Sequence, residues 1–220
     1  MNRVAHWNQY DKTGIGVGAY TDTETLRSLI KGKYILEVGC GRGSMLLKLD
    51  SAARRVGIDP SSEALDLARI QNQGVTFQVA FAEKLPFEDN TFDLVYSLEV
   101  IEHVKEYELM VSEIERVLKP GGVIFIQTPN YPVKRVYDFI FWVFGKRAEL
   151  ADDYTHVSKL SAFKLRNVIK EKFSLVDVYS RNIFLDSKFR FLKSNFFRKK
   201  VGLLVGQKTI VVGTKPPRFN

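Results

Sequence analysis

Residues 34–44, Tyr-Ile-Leu-Glu-Val-Gly-Cys-Gly-Arg-Gly-Ser, constrain the fold more than any other stretch of the chain. Apolar side chains at 34, 35, 36 and 38 suit a buried central strand. Gly39, Gly41 and Gly43 suit a tight strand-to-helix turn whose backbone a ligand can approach closely. One carboxylate, Glu37, is embedded in the apolar run. A strand that empties into such a turn is the opening unit of an open α/β sheet that cradles a cofactor.

The alternation continues on both sides. Thr21-Asp22-Thr23-Glu24 matches a capping box, and Leu26, Leu29 and Ile30 follow at helical spacing, predicting a helix that ends near Lys31-Gly32. After the glycine turn a second helix starts over residues 45–49. A strand at 55–59 ends in Asp59, and Pro60-Ser61-Ser62 opens a helix to about Gln71. Strands are expected at 75–80 and 92–97, separated by an acidic, proline-containing loop at 83–90. Tyr107, Met110, Val111, Ile114, Val117 and Leu118 keep the period of an amphipathic helix stopped by Pro120-Gly121-Gly122, and residues 123–128 form a fifth strand. Ser161 caps a further helix that buries Leu165, Val168, Ile169 and Phe173, and strands at 175–179 and 209–212 complete the set. Five alternations of strand and helix predict a doubly wound, mostly parallel sheet.

The 220 residues, 45% of them hydrophobic, suffice for one domain with its own core. A single cysteine, Cys40, excludes an intrachain disulfide, and with three histidines a dedicated Cys/His zinc site is not expected. No signal-peptide pattern opens the sequence and no apolar run reaches the roughly 18 residues of a membrane span, so a cytoplasmic setting is the expectation. Charge divides sharply along the chain. Residues 1–120 hold 14 Lys and Arg against 18 Asp and Glu, whereas residues 121–220 hold 19 against 7. The basic half reads either as a solvated surface or as one that meets an anionic partner such as phosphate, lipid head groups or nucleic acid. Within it, residues 183–200 interleave six Lys and Arg with aromatic and leucine positions. Residues 1–20, with His6, Trp7, Tyr10 and Tyr20 among polar residues and glycines, have the composition of a flap.

Ligands of an open parallel sheet bind outside the carboxyl ends of its strands, so Gly39 to Gly43, Asp59, Ala82-Glu83 and Ser97 to Glu99 should converge. A dinucleotide site calls for Gly-x-Gly-x-x-Gly and a helix N-terminus facing pyrophosphate. Here the register is Gly-x-Gly-x-Gly, with Ser44 where the third glycine would stand. Glu37 beside the turn would repel pyrophosphate and favour a cationic group, which selects a ligand with an ammonium and no phosphate.

The sequence resembles the class I S-adenosylmethionine-dependent methyltransferases, closest to the small-molecule branch with the ubiquinone and menaquinone biosynthesis methyltransferases. Residues 35–43 match the family's first motif and 56–59 its second. Residues 82–87 with 90–95 match its third region and 118–128 its strand-five signature, so the likeness covers about residues 30–130. It implies a Rossmann-like sheet of about seven strands with the last antiparallel. The whole chain would then be one methyltransferase domain: a flap and helix at 1–30, a cofactor core at 31–130 and acceptor-covering segments with the last strands at 131–220. It implies S-adenosylmethionine as cofactor, with Gly39, Gly41 and Gly43 under its methionine and ribose portions, and Glu37 orienting the cradle. Asp59 would hold the ribose hydroxyls, Ala82 and Glu83 lie along the adenine, and Ser97-Leu98 lie near the methionine or sulfonium end. Bidentate acceptance of two ribose hydroxyls by a strand-end carboxylate agrees for Asp59; Glu83 also reads as a solvated loop charge. Where many relatives carry an acidic residue for the adenine amino group, this chain has Phe81. Cys40 reads as an inert turn residue.

The sulfonium already activates the methyl, so the protein's work is to align an acceptor and exclude water, with a base where the acceptor is a hydroxyl. Glu99-Val100-Ile101-Glu102-His103 follows strand four. His103 is the candidate base, oriented by Glu99 or Glu102; alternatively Glu99, Glu102 and His103 hold a divalent metal, or His103 only starts the next helix. His156 is a second base candidate. Position 97–100 reads Ser-Leu-Glu-Val, unlike the Asn/Asp-Pro-Pro-aromatic motif of amino-methylating nucleic-acid enzymes, and Cys40 sits in the wrong loop for pyrimidine carbon methylation. The expectation is O-methylation of a small acceptor, anionic or lipid-linked, met at a membrane surface. An RNA or protein methyltransferase and a non-catalytic S-adenosylmethionine-binding protein are the alternatives.

Overall fold

Alternating apolar runs and capped amphipathic segments assemble one seven-stranded sheet. The computed structural model describes residues 22–131, 133–136, 139, 155–181 and 206–217. The strands are β1 (Tyr34–Val38), β2 (Arg54–Asp59), β3 (Val75–Val79), β4 (Phe92–Leu98), β5 (Leu118–Pro129), β6 (Ser174–Arg181) and β7 (Lys208–Thr214). They lie in the order β3-β2-β1-β4-β5-β7-β6. The first five run parallel, and β7 is antiparallel to both β5 and β6. The chain thus winds outwards from β1 to one edge and then restarts beside it at β4, which opens a crevice at the carboxyl ends of β1 and β4.

Helices α1 (Thr23–Ile30), α2 (Ser44–Lys48), α3 (Ser62–Gln71), α4 (Tyr107–Val117) and α5 (Ala162–Lys170) cover the sheet. Each central strand is apolar on both sides because both faces are covered. Leu36, Val38, Val95 and Ile126 pack with Val111 and Ile114 of α4 and with Leu165 and Ile169 of α5. Ile35, Leu94, Tyr96 and Phe125 pack with Leu26 and Ile30 of α1 and with Met45 and Leu46 at the start of α2. Each such aliphatic side chain contributes about 1.5–3 kcal/mol on burial, so the two layers fix the strand register that sets the site.

Two local expectations need correction. The cap of α1 is Asp22, whose carboxylate accepts from Thr25 N, one residue beyond the Thr21 of the expected box. Helix α4 ends before Pro120-Gly121-Gly122: Leu118 is already extended, and β5 runs through the three residues, with a register irregularity against β4 that absorbs them. What closes α4 is a buried cation. Lys215 is 2% exposed, and its Nζ donates to the carbonyls of Glu115 and Leu118, both at 2.7 Å, and to Asn90 Oδ1 at 3.0 Å. A lysine at a helix C-terminus satisfies carbonyls that have no intrahelical partner and opposes the helix dipole. The expected flap at 1–20, most of the aromatic stretch 131–144, the acidic patch 149–153 and the basic stretch 183–200 lie outside the described residues.

Candidate cofactor site

Strand order brings the ends of β3, β2, β1 and β4 side by side, and the glycine turn closes over the neighbour of β1. The amides of Gly39 and Cys40 both donate to the Ile58 carbonyl, at 2.8 and 2.9 Å. Gly41 N donates to Asp59 Oδ2 and Ser61 N to Asp59 Oδ1, each at 2.9 Å. Asp59 therefore grips the turn as well as standing at the strand end, and the capping of α3 falls to Ser61, whose Oγ accepts from Ala64 N. Gly39 and Gly41 have φ of +75° and +49°, the left-handed region that side chains resist. Their surroundings differ. A Cβ on Gly39 would run into the Val100 side chain, so the turn and the loop after β4 are packed backbone to side chain. A Cβ on Gly41 would meet nothing within 4 Å among the described residues, so there the backbone is bare on that side.

Glu37 lies beneath this turn, 3% exposed, and accepts a 2.9 Å bond from the Tyr96 hydroxyl. Burial, reinforced by the charge of Asp59, pushes its carboxyl up to about 8 despite the Tyr96 bond. Burial also pushes the Cys40 thiol well above its ordinary value, in keeping with an inert role.

Beyond β3, Ala82 is buried, while Phe81 and Glu83 are half-buried. The loop that follows is held from α4. Arg116 donates to the carbonyls of Leu85 at 2.9 Å and Phe87 at 2.7 Å and pairs with Asp89 at 2.9 Å, while Glu113 accepts from Leu85 N at 2.8 Å. The Glu113–Arg116 pair is itself closed at 2.8 Å and holds the Glu113 carboxyl below its ordinary value. Sequence reasoning missed this clamp; its one signal was the spacing of Glu113 and Arg116, which makes an ordinary helical ion pair. Ser97, on β4, is fully buried, and its Oγ has no hydrogen-bond partner among the described residues.

On the other side of the crevice the residues after β4 form a polar cluster. His103, in a short 3₁₀ turn at Ile101–His103, has Nδ1 at 3.2 Å from the Thr155 carbonyl and 2.9 Å from Thr155 Oγ1. Thr155 thus fixes the ring through Nδ1; the tautomer in which Nδ1 donates to the carbonyl places the acceptor lone pair on Nε2, while the hydroxyl can serve either tautomer. The His103 ring meets that of His156 edge-on at 4.7 Å, and Tyr131 Oη lies 2.5 Å from His156 Nδ1. Glu102, 1% exposed, accepts from Thr128 Oγ1 at 2.8 Å, and its Oε1 has no hydrogen-bond partner among the described residues. Burial, with the charge of Glu99 nearby, pushes its carboxyl up. The ligating atoms of Glu102, His103 and His156 lie within 4.8 Å of one another, whereas Glu99 points elsewhere: it pairs with Lys208 and accepts from Gln127 Nε2 at 3.1 Å. The set Glu99, Glu102, His103 is thus regrouped, with His156 beside the last two and Thr155 as the residue that orients His103. Thr155 and Tyr131 carried no signal in the sequence, since they reach His103 and His156 across 52 and 25 residues.

Residues 36–126 match the family described as a methyltransferase domain. A ubiquinone biosynthesis O-methyltransferase of Rhizobium etli is 34% identical over 128 residues, 54% of this chain and 50% of that protein. An S-adenosylmethionine-dependent methyltransferase of Mycolicibacterium smegmatis, so described as probable, is 37% identical over 100 residues, 45% of this chain and 39% of its own. The chain spans about half the length or less of these curated relatives. Among solved structures, a chain of the complex between the Haloferax volcanii Trm112 methyltransferase activator and a methyltransferase superposes with a TM-score of 0.72. It has 20% identity, over 98% of this chain and 97% of that one. A Thermotoga maritima S-adenosylmethionine-dependent methyltransferase, described as a possible histamine N-methyltransferase, gives 0.68 at 20% identity over 96% and 97%. The expected Rossmann-like methyltransferase sheet and the resemblance to this class are both borne out.

Proposed function

Taking the methyltransferase-domain match over residues 36–126 as premise, we propose that the chain transfers the methyl group of S-adenosylmethionine to an oxygen of a small acceptor. The observation that carries this reading is the Asp59 carboxylate bonded to Gly41 N beside a backbone face that is bare among the described residues. Two features support this donor: a carboxylate at a strand end for the ribose and, among the described residues, room over Gly41; Glu37, buried against Tyr96 and raised to about 8, acts beneath the turn as a hydrogen-bonded support and not as the anionic partner of a cation. Ala82 and Glu83 would lie along the adenine, with Gly39 and Gly43 shaping the turn. When bound, S-adenosylmethionine supplies a sulfonium-activated methyl.

The chain's own part is to place and deprotonate the acceptor. His103, fixed by Thr155 and acting in the tautomer with its proton on Nδ1, accepts the acceptor's hydroxyl proton at Nε2. Glu102 and His156 border it, and the mostly buried setting of His103 keeps water from competing. Oxygen as the acceptor atom is supported by the Rhizobium etli relative, described as an O-methyltransferase of ubiquinone biosynthesis. An anionic or lipid-linked acceptor is supported by the surplus of 19 Lys and Arg over 7 Asp and Glu in residues 121–220.

The test is methyl transfer over pooled phenols and catechols, amines, lipid extracts, RNA and protein, with mass detection of the product and of S-adenosylhomocysteine. Methylated oxygen on a small phenolic or lipid acceptor, lost in His103→Ala and with the H103N variant, supports the reading. Transfer to RNA or protein alone, or donor binding with no turnover on any pool, overturns it. Activity that ignores anionic liposomes and takes only neutral soluble acceptors removes the anionic or lipid-linked part.

A further inference from the structure

Glu99 stands at the end of β4 with φ of +57°, one of three described non-glycine residues in the left-handed region. A β-carbon resists that conformation, so surrounding bonds must hold it. They are plentiful. Glu99 N donates to the Gln127 carbonyl at 2.9 Å, Gln127 Nε2 donates to Glu99 Oε1 at 3.1 Å, and Lys208 Nζ pairs with Glu99 Oε2. Gln127 Oε1 in turn accepts from Asp22 N at 3.3 Å, and Asp22 Oδ2 accepts from the Tyr179 hydroxyl at 2.9 Å. The network joins the N-cap of α1, strand β5, the last two strands and the end of β4, across sequence separations of 105, 109 and 157 residues.

The next residue shows what this holds in place. Val100 packs into the space that a side chain on Gly39 would need, so the left-handed turn at Glu99 seats Val100 on the first glycine of the cofactor turn. Lys208 and Gln127 already satisfy both carboxylate oxygens of Glu99, and His103 Nδ1 is satisfied by Thr155, which leaves Glu99 neither the base nor its orienting partner.

We propose that Glu99 is a positioning residue: through its bonds to Lys208 and Gln127 it holds Val100 against Gly39, and thereby couples the N-cap of α1 and the β6–β7 pair to the geometry of the cofactor turn. The proposal deepens the methyltransferase reading in that the turn is taken as the donor's seat, but the coupling itself is a property of the free chain. It makes the donor turn depend on residues that touch no donor, Lys208 and Asp22 among them.

Two measurements on E99Q, E99G, K208M and the E99Q/K208M double variant test it. Hydrogen exchange at the Gly39 and Cys40 amides, which donate to Ile58, needs no ligand. It should quicken by about tenfold in each single variant, with the double no faster than the faster single. Affinity for S-adenosylhomocysteine, read by calorimetry, should fall in parallel by about tenfold, and in turnover the donor KM should rise while the pH limbs of kcat stay in place. E99G separates backbone strain from pairing, since glycine accepts the conformation without the carboxylate. Wild-type exchange in E99G or K208M overturns the proposal, as do effects of E99Q and K208M that multiply in the double variant, or a displaced pH limb in E99Q. If the wild-type chain itself fails to bind S-adenosylhomocysteine while the exchange pattern holds, the coupling stands and the methyltransferase reading falls.

Discussion

Replacing Glu37 by glutamine should change how stability depends on pH, and the sign follows from where the carboxyl sits. Its value rises from an ordinary 4.5 to about 8, chiefly because burial penalises the charge, with Asp59 adding repulsion and Tyr96 opposing both. Between those values the folded state keeps a proton that the unfolded state has released. The stabilisation is therefore fully present below the unfolded value and is lost as pH rises through the folded one. At about 1.4 kcal/mol per unit, the full displacement corresponds to about 5 kcal/mol, and about half of it falls between pH 5 and 7. E37Q keeps an acceptor for the Tyr96 hydroxyl and removes the ionisation. Urea unfolding of both proteins at pH 5, 6, 7 and 8 should show E37Q gaining on the wild type by a little over 1 kcal/mol per unit across the range. Glu102, pushed up by burial as well, is common to both proteins and cancels in the difference. Parallel curves, or a wild type that gains on E37Q as pH rises, would refute the reasoning, because the carboxylate would then be ionised and paired in the fold.

Four further outcomes follow from single substitutions. Gly39→Ala should cost roughly 3 kcal/mol in chemical denaturation, the sum of a forbidden φ and a collision with Val100. Gly41→Ala should cost only about 1 kcal/mol, yet weaken S-adenosylhomocysteine binding more than tenfold, about 1.4 kcal/mol, since its Cβ enters the bare face. Lys215→Met should lose about 2–4 kcal/mol by the same assay, as the carbonyls of Glu115 and Leu118 and the amide of Asn90 lose a charged donor; a change under about 0.5 kcal/mol would show that the cap is dispensable. Arg116→Lys keeps a charge but cannot fork to Leu85, Phe87 and Asp89 together, so proteolysis at the 85–89 loop should quicken, with a loss of about 1–2 kcal/mol in stability.

The candidate cofactor turn was legible as a structural unit because its signals are local. The run into Gly39, Gly41 and Gly43, the carboxylate at the end of β2 and the cap at Ser61 each need only a few consecutive residues, and strand order then brings them together. Even there, Asp59 does more than expected: its bonds to Gly41 and Ser61 organise the turn, a contact between two strand ends that no spacing records. Helix boundaries failed where tertiary contacts outweigh propensity. Pro120-Gly121-Gly122 reads as a stop, but α4 has already ended three residues earlier, where Leu118 pairs with Phe92 and Lys215 takes the last carbonyls.

The charge division of the sequence has a partly internal explanation. The acidic first part and the basic second part meet inside the fold: Lys208 pairs with Glu99, and Lys215 lies 3.4 Å from Glu115 while capping the same helix. A lysine that is 2% exposed presents no charge to a partner outside, and one bound to Glu99 presents little. Both pairs span about a hundred residues, so a count along the chain assigns them to a surface they do not occupy. If the acceptor is anionic, as proposed, the pull towards it comes from the other cations of residues 121–220, six of them within 183–200. A variant with neutral residues at those six positions should keep its donor affinity and lose the proposed preference for anionic acceptors, whereas K208M should weaken donor affinity by about tenfold and leave that preference in place.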